Sequence, residues 1–375
     1  MNIKANENER YSRQLKLQEI GSEGQEKLAQ ARVLVVGAGG LGCPVLQYLA
    51  AAGVGTLGIM DFDIVSENNL HRQILFSEGD IGKLKAACAV QKLINSKPDL
   101  KCVAINEKLT VLNIRKIFSE YDIIVDGSDN FSTRYLINDG CLLSHKPYVY
   151  GSLFKFNAQI AVFNQLLPDG TRSSNYRDIF PDPPLPGEVP DCSEAGVLGS
   201  VAGIAGTFQA TEVIKMIVGA GNTLSGKMIL IDSLNLSFQV IQILKSNTET
   251  SKFPQSWEAL EQYDYTNFCP TRDIIETIDN QSFENLLTSG HPVQIVDVRE
   301  EWEHSGSLLP LPVFNIPLHN LDANMYQLNA SIPIVVICTS GKRSNFAVKL
   351  LRRNGFPETV SLEGGIDKWT LLQKA

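Results

Sequence analysis

A chain of 375 residues is long for a single hydrophobic core and points to two domains. Its composition, 43% hydrophobic and 20% charged with a formal net charge of -8, is that of an ordinary globular protein and lacks the basic field that a nucleic-acid partner requires. Seven cysteines, odd in number and irregularly spaced, exclude a disulfide framework and suit a reducing compartment in which one or two thiols are chemically active; the expected location is cytoplasmic.

The opening segment, MNIKANENERYSRQ, has no apolar core and does not read as a signal peptide. Strand-like apolar runs then alternate with helical patterns: strands at Val33–Val36, Leu57–Met60, Val103–Ile105 and Ile123–Val125, helices at Pro44–Ala52 and Leu84–Asn95. That alternation predicts an α/β fold with a Rossmann-like, doubly wound and mostly parallel sheet. Runs at Gln159–Asn164, Met228–Asp232 and Phe238–Ile243 read as later strands that finish the same domain, residues 1–245. The most apolar long stretch, Val197 to Gly221, contains Glu212 and Lys215 and is rich in glycine, so it reads as a buried helix and no membrane partner is expected. Residues 246–272 are polar, carry two prolines and show no sustained period, which makes them a linker. A fresh α/β pattern starts at Ile275, with strands at Val293–Val296 and Ile334–Cys338, so residues 273–375 form a second, small α/β domain.

The first strand runs into Gly37-Ala-Gly39-Gly40-Leu-Gly42 and then a helix. Such glycines permit a tight turn and let backbone amides at a helix N-terminus approach a phosphate. Asp61 and Asp63 close the next strand at the distance where an acid takes a ribose hydroxyl. So far a NAD-dependent oxidoreductase fits as well as an ATP enzyme. Beyond the second strand come Asn68-Asn69-Leu70-His71-Arg72-Gln73, then Lys85 at the start of a helix, and Ser128-Asp129-Asn130 after the strand that ends in Asp126. Two cations and one acid beside a phosphate-binding loop suit a triphosphate with Mg2+, whose charge must be neutralised as pyrophosphate leaves. The plain alternative is a solvated arginine, a surface lysine and a turn aspartate.

These residues resemble the MoeB/ThiF (HesA/MoeB/ThiF) family of ubiquitin-activating-type adenylyltransferases. Arg10-Tyr-Ser-Arg13-Gln, the glycine loop, Asp61-Phe-Asp63, Asn69-Leu-His-Arg72-Gln, Gly82-Lys-Leu-Lys85 and Asp126-Gly-Ser-Asp129-Asn130 fall in the family's order across nearly all of the first 245 residues. The resemblance implies that Gly40, Asp61, Asn68, Asn69, Leu70, His71, Arg72, Lys85 and Asn130 hold ATP and that Asp129 is the essential acid near magnesium. It implies that Arg13 reaches the phosphates of the other subunit of a homodimer. The implied reaction is attack by the C-terminal glycine carboxylate of a small ubiquitin-like carrier protein on the α-phosphate. Positioning and electrostatic stabilisation then supply most of the rate.

Two departures from the family stand out. Its members bind a structural zinc through two Cys-x-x-Cys pairs. Here the first pair reads Asn175-Tyr-Arg177-Asp178 and the second keeps only Cys269, followed by Arg272, so no structural zinc is expected. Asn175, Asp178 and Arg272, which stand at the missing thiolate positions, are expected to hold the same loops by hydrogen bonds and an ion pair. Cys192, in Pro190-Asp-Cys192-Ser-Glu194, matches the family's loop cysteine after a proline-rich stretch; a covalent link to the carrier and an inert thiol both stay open.

In the second domain a strand delivers Cys338 to Thr-Ser-Gly341-Lys342-Arg343-Ser344 and a helix over Asn345–Arg353. Backbone amides, a helix N-terminus and two cations there favour thiolate over thiol. With Ile295-Val-Asp297-Val-Arg299-Glu300, Asn315-Ile-Pro317 and Leu362-Glu-Gly364-Gly365-Ile-Asp-Lys-Trp369, this resembles a rhodanese domain, in which Cys338 carries sulfur as a persulfide. Four residues separate Cys338 from Arg343, one fewer than a cysteine phosphatase uses to surround phosphate. The remaining cysteines, Cys43, Cys88, Cys102 and Cys141, sit in apolar or helical contexts and read as core. Three function classes are weighed: an adenylyltransferase–sulfurtransferase fed by a persulfide donor, a NAD-dependent oxidoreductase with a rhodanese module, and a non-catalytic scaffold. Arg72, Lys85 and Asp129 favour the first. A molybdopterin-type, thiamine-type or tRNA-thiolation-type carrier would present a similar Gly-Gly tail.

Overall fold

Side chains alternate across each short strand, and in this chain both sides of that alternation are apolar. Val33 and Val35 of β1 (Arg32–Val36) enter one core cluster and Leu34 and Val36 another, so the strand is buried on both faces. β2 (Thr56–Met60), β3 (Lys101–Ile105), β4 (Ile123–Asp126) and β5 (Tyr148–Phe154) join it in parallel. β6 (Asn157–Phe163), β7 (Lys227–Asp232) and β8 (Ser237–Gln242) then add antiparallel pairs, giving the strand order β3-β2-β1-β4-β5-β6-β7-β8. The expected Rossmann-like sheet is present, extended by an antiparallel arm. The computed structural model describes residues 9–183, 196–245, 253–265, 276–304 and 312–373, and the chain divides into two units, Met1–Cys269 and Pro270–Ala375.

Helix α1 (Gly21–Gln30) precedes β1, and α2 (Gly42–Ala52), α3 (Lys85–Ser96), α4 (Ile114–Ser119) and α5 (Phe131–Leu143) separate the parallel strands. The long apolar stretch forms α6 (Gly199–Val218), which packs on α1, α2, β5 and β6. Gln209 and Glu212 of α6 are buried, and the Glu212 carboxylate accepts from Lys215 at 2.6 Å and from the Leu224 amide at 2.7 Å, so this is a helix of the domain's interior.

The stretch read as a linker is ordered in part. Ser256 caps α7 (Trp257–Gln262), Leu260 is fully buried, and Tyr265 enters the same core cluster as Tyr135, Tyr148 and Tyr176. Six residues are too few to show a helical period, but Trp257, Leu260 and Tyr263 keep the one-face spacing.

The second unit is a five-stranded parallel sheet in the order β11-β10-β12-β13-β9, built from β9 (Thr277–Ile278), β10 (Gln294–Asp297), β11 (Val313–Asn315), β12 (Ile334–Ile337) and β13 (Thr359–Leu362). Ile334, Val336 and Cys338 point to one core cluster and Val335 and Ile337 to the other. Helices α8 (Asn280–Thr288), α9 (Glu301–His304), α10 (Leu321–Asn324), α11 (Lys342–Arg353) and α12 (Gly365–Gln373) complete it.

Candidate active sites

The glycine loop, Asp61 and the Ser128–Asn130 turn, expected from the sequence to serve a nucleotide, follow β1, β2 and β4, which end side by side with Val36 opposite both Met60 and Asp126. Gly37 leaves β1 with φ +97°, and a Cβ there would stand 2.6 Å from the Gly127 carbonyl. A Cβ on Gly42 would meet the Gly37 carbonyl at 1.9 Å. Only glycine closes this turn, and its contact with Gly127 ties the loop to the segment that carries Asp129.

Asp61 braces the loop from the next strand: its Oδ2 accepts the Ala38 amide at 2.8 Å and its Oδ1 the Asp63 amide at 2.9 Å. Burial raises the Asp61 carboxyl above the usual range. Lys85, buried at the start of α3, reaches back to Asp63 at 3.0 Å. Arg72 lays its stem over Gly40, where a Cβ would stand 3.4 Å from Arg72 Cγ. Its Nη1 donates to the Asn68 carbonyl at 2.9 Å and lies 3.4 Å from His71 Nε2. Asn68 accepts from Asn69 at 2.8 Å, and Leu70 packs on the core beneath. Arg72 and Gly40 thus meet directly, as do Lys85 and Asp63.

Asp126 is fully buried, and its Oδ1 accepts both the Ser128 amide (2.9 Å) and hydroxyl (2.6 Å). That turn brings Asp129 to the surface, 3.5 Å from the Asn130 amide group. Asn130 caps α5 by accepting the Thr133 amide at 2.9 Å. Asp129 therefore sits at a helix N-terminus, beside the glycine loop, with a carboxylate open to solvent. Arg13 is exposed on the turns ahead of α1. Cys192 and Cys269 lie outside the described residues.

The segment that replaces the first zinc pair is self-capped: Asn175 donates to Asp178 at 2.8 Å and accepts the Arg177 amide at 2.9 Å. Arg177 turns inward to Asp139 of α5, with Nε at 2.9 Å and Nη2 at 2.7 Å, and the Tyr265 hydroxyl donates to the same carboxylate at 2.7 Å. The ion pair expected from the sequence involves Arg272, which lies outside the described residues; the pair of Arg177 with α5, and the tyrosine from the supposed linker, were not expected. Among the described residues no group of three or more His, Cys, Asp or Glu could hold a metal ion.

In the second unit Cys338 follows β12 directly and is 1% exposed. Its Sγ accepts amides from Gly341 (3.2 Å) and Ser344 (3.4 Å), and Ser344 Oγ lies 3.5 Å away. Gly341 takes φ +88°, and Gly365 must stay glycine because a Cβ would meet the Cys338 carbonyl at 2.5 Å. Arg343 joins Glu303 of α9 through two short bonds, 2.6 and 2.7 Å. Glu303 was missed in the sequence, where the motif was read only as far as Glu300. The Lys342 side chain is outside the described set. Asp297 anchors the neighbouring strand end, bound to Arg299 at 2.7 Å and His304 at 2.9 Å; burial pushes its carboxyl up, and the bonds from Arg299 and His304 bring it net below the usual range. Among the other described cysteines, burial raises Cys43 to about 12 and Cys102 to about 11, and raises Cys88 and Cys141 as well.

Residues 11–252 match the ThiF family and residues 279–372 match the Rhodanese-like domain. The chain is 39% identical to the probable adenylyltransferase/sulfurtransferase MoeZ of Mycobacterium tuberculosis, over 96% of this chain and 92% of that one. It is 36% identical to the adenylyltransferase and sulfurtransferase MOCS3 of Culex quinquefasciatus, over 98% of this chain and 88% of that one. Among solved structures, E. coli MccB crystallised with ATP superposes with a TM-score of 0.56 at 25% identity, covering 64% of this chain and 73% of that chain.

Proposed function

The chain belongs to the ThiF family, as an adenylyltransferase with a rhodanese-like sulfurtransferase domain, and we propose that it converts the C-terminal glycine of a small ubiquitin-like sulfur carrier to a thiocarboxylate. A carboxylate oxygen of the carrier attacks the α-phosphorus of ATP and pyrophosphate leaves, giving an acyl adenylate. The glycine loop and the Arg72–Gly40 contact cradle the phosphates, while Asp61 and Asn69 address the ribose. Lys85, relayed from Asp63, takes up the charge on the departing pyrophosphate. Asp129 offers a hard, exposed oxygen donor of the kind Mg2+ prefers, and with the phosphates it would hold the ion, which screens their charge. Arg13 acts across a homodimer on the partner's phosphates.

The outer sulfur of a Cys338 persulfide then bonds to the activated carbonyl carbon as AMP leaves. A thiol attacks Cys338 Sγ, breaks the sulfur–sulfur bond and frees the thiocarboxylate, and a second thiol reduces the disulfide left on Cys338. Structural zinc has no place in this reading, because Asn175 and Asp178 stand where the first thiolate pair would and cap each other by hydrogen bonds. Arg72 packs on Gly40, Lys85 acts electrostatically on Asp61, which binds the Ala38 amide, and Gly37 abuts Gly127 on the segment that bears Asp129; that arrangement supports the proposal. The test is ATP–pyrophosphate exchange with a cognate carrier. Asp129→Asn is expected to slow it on the order of 10² to 10³ without loss of fold. Near-normal exchange by that variant would remove Asp129 from the mechanism.

A further inference from the structure

The Cys338 loop carries a charge arrangement that bears on which sulfur donors it accepts. Thiosulfate and persulfides can both load a cysteine, and they differ in what leaves. With a persulfide, the Cys338 thiolate attacks the outer sulfur of R–S–SH. The donor's sulfur–sulfur bond breaks, R–S⁻ departs with the electron pair, and the proton stays on the sulfur now bonded to Cys338. With thiosulfate the same attack expels sulfite, so two negative charges collect on small sulfonate oxygens at the loop's mouth. A bidentate guanidinium is the natural receptor for such a group.

Arg343 is the guanidinium in that place, and it is taken. Its two terminal nitrogens meet both oxygens of Glu303, at 2.6 and 2.7 Å, in the fork geometry an oxyanion would use. Glu303 is fixed from two further sides. Thr339 Oγ1 donates to Oε1 at 3.2 Å, and the Glu300 amide donates to Oε2 at 3.0 Å. Arg343 Nη2 also donates to Thr339 Oγ1 at 3.0 Å, closing the ring. The hydrogen bonds from Arg343, foremost, hold the Glu303 carboxyl down at about 2, so it stays charged at every working pH. Its side chain is 17% exposed and that of Arg343 32%, so the pair lines the surface at the loop rather than lying beneath it. The other guanidinium nearby, Arg299, is likewise bound to a carboxylate, that of Asp297. Glu300, on the same segment as Glu303, adds a further acidic group facing Arg343.

We infer that Glu303 is a specificity-determining residue, which occupies Arg343 and so biases the Cys338 loop against small oxyanionic sulfur donors and toward persulfides. The inference rests on the reading that Cys338 carries the transferable sulfur.

The test uses the full chain and compares sulfur loading from thiosulfate with loading from glutathione persulfide, each read by mass spectrometry of Cys338 and by kcat/KM. Glu303→Gln is expected to shift the ratio of thiosulfate to persulfide efficiency toward thiosulfate, on the order of tenfold, through a lower thiosulfate KM. Glu303→Asp, which retains the charge and withdraws it by one methylene, should shift the ratio the same way by less. Adding Arg343→Gln to Glu303→Gln should abolish the gain. A ratio unchanged or moved toward persulfide in both Glu303 variants overturns the inference, as does a gain that survives without Arg343. Failure of the wild-type protein to load Cys338 from either donor would instead bring down the sulfurtransferase reading itself, and this inference with it.

Discussion

Replacing Asp139 by asparagine tests how the first unit holds its Asn175–Asp178 segment against α5. Asp139 is fully buried in α5 and its carboxylate accepts from Arg177 twice, at 2.9 and 2.7 Å, from Tyr265 at 2.7 Å and from Asn138 at 2.9 Å. Asparagine keeps the shape and removes the charge, so Arg177, 8% exposed, loses its counter-ion in a low-dielectric setting. Breaking a buried pair from one side costs about 3–5 kcal/mol. Tyr265→Phe removes one hydrogen bond to a charged group, about 1.5–3 kcal/mol, and leaves the ion pair in place. A chain of two units does not unfold as one two-state system, so the first unit must be followed on its own. Trp257 of α7, whose ring lies under the Arg115 guanidinium of α4, is a reporter within that unit. Its transition should fall on the order of 10 °C in Asp139→Asn, taking roughly 2–4 °C per kcal/mol for a domain of this size, while the second unit's transition stays in place. A fall of less than about 3 °C would mean that the pair contributes under about 1 kcal/mol and that the reasoning is wrong.

Two further outcomes follow from the same structure. The Glu303 carboxyl lies at about 2 against an ordinary 4.5, so the Arg343 pair adds stability that is complete above that ordinary value and is lost as pH falls through about 2. Acid titration of the second unit's unfolding should show this loss, and Glu303→Gln should flatten the profile across that window; an identical profile in the variant contradicts it. Elemental analysis of the dialysed protein should find no stoichiometric zinc, since Asn175, Asp178 and Arg272 replace three of the four thiolates; about one zinc per chain, retained through dialysis, would show that other residues supply the ligands.

Much of the site was legible because its residues sit at strand ends, where short apolar runs stop at glycine or aspartate. Val36 before Gly37, Met60 before Asp61 and Ile337 before Cys338 each mark such a place. The runs themselves are rich in Val and Ile, which favours strands locally. Partnerships distant in sequence were not legible. Tyr265 finds Asp139 across 126 positions and Arg343 finds Glu303 across 40, and no local pattern encodes either. β5 escaped notice because Gly151 interrupts it; that glycine is required where a Cβ would stand 2.5 Å from Gln209 Nε2. α7 escaped because its composition is polar and one and a half turns carry almost no periodic signal. The run at Phe238–Ile243 is a strand, as its residues suggested, yet it lies at the sheet's edge with Phe238 and Val240 each 56% exposed.

The central claim is that activation and sulfur delivery are two steps on one chain, joined through Cys338. Intact mass spectrometry of a ubiquitin-like carrier with a Gly-Gly C-terminus, after incubation with ATP, Mg2+ and the sulfur-loaded enzyme, tests it most directly. The carrier should gain the mass of sulfur replacing oxygen, and the enzyme should hold its persulfide on Cys338. Cys338→Ala should abolish the gain while ATP–pyrophosphate exchange continues, and Cys192→Ala should at most slow the release. A thiocarboxylate formed at the normal rate by Cys338→Ala, or a persulfide mapped to Cys192 with Cys338 unmodified, would contradict the account.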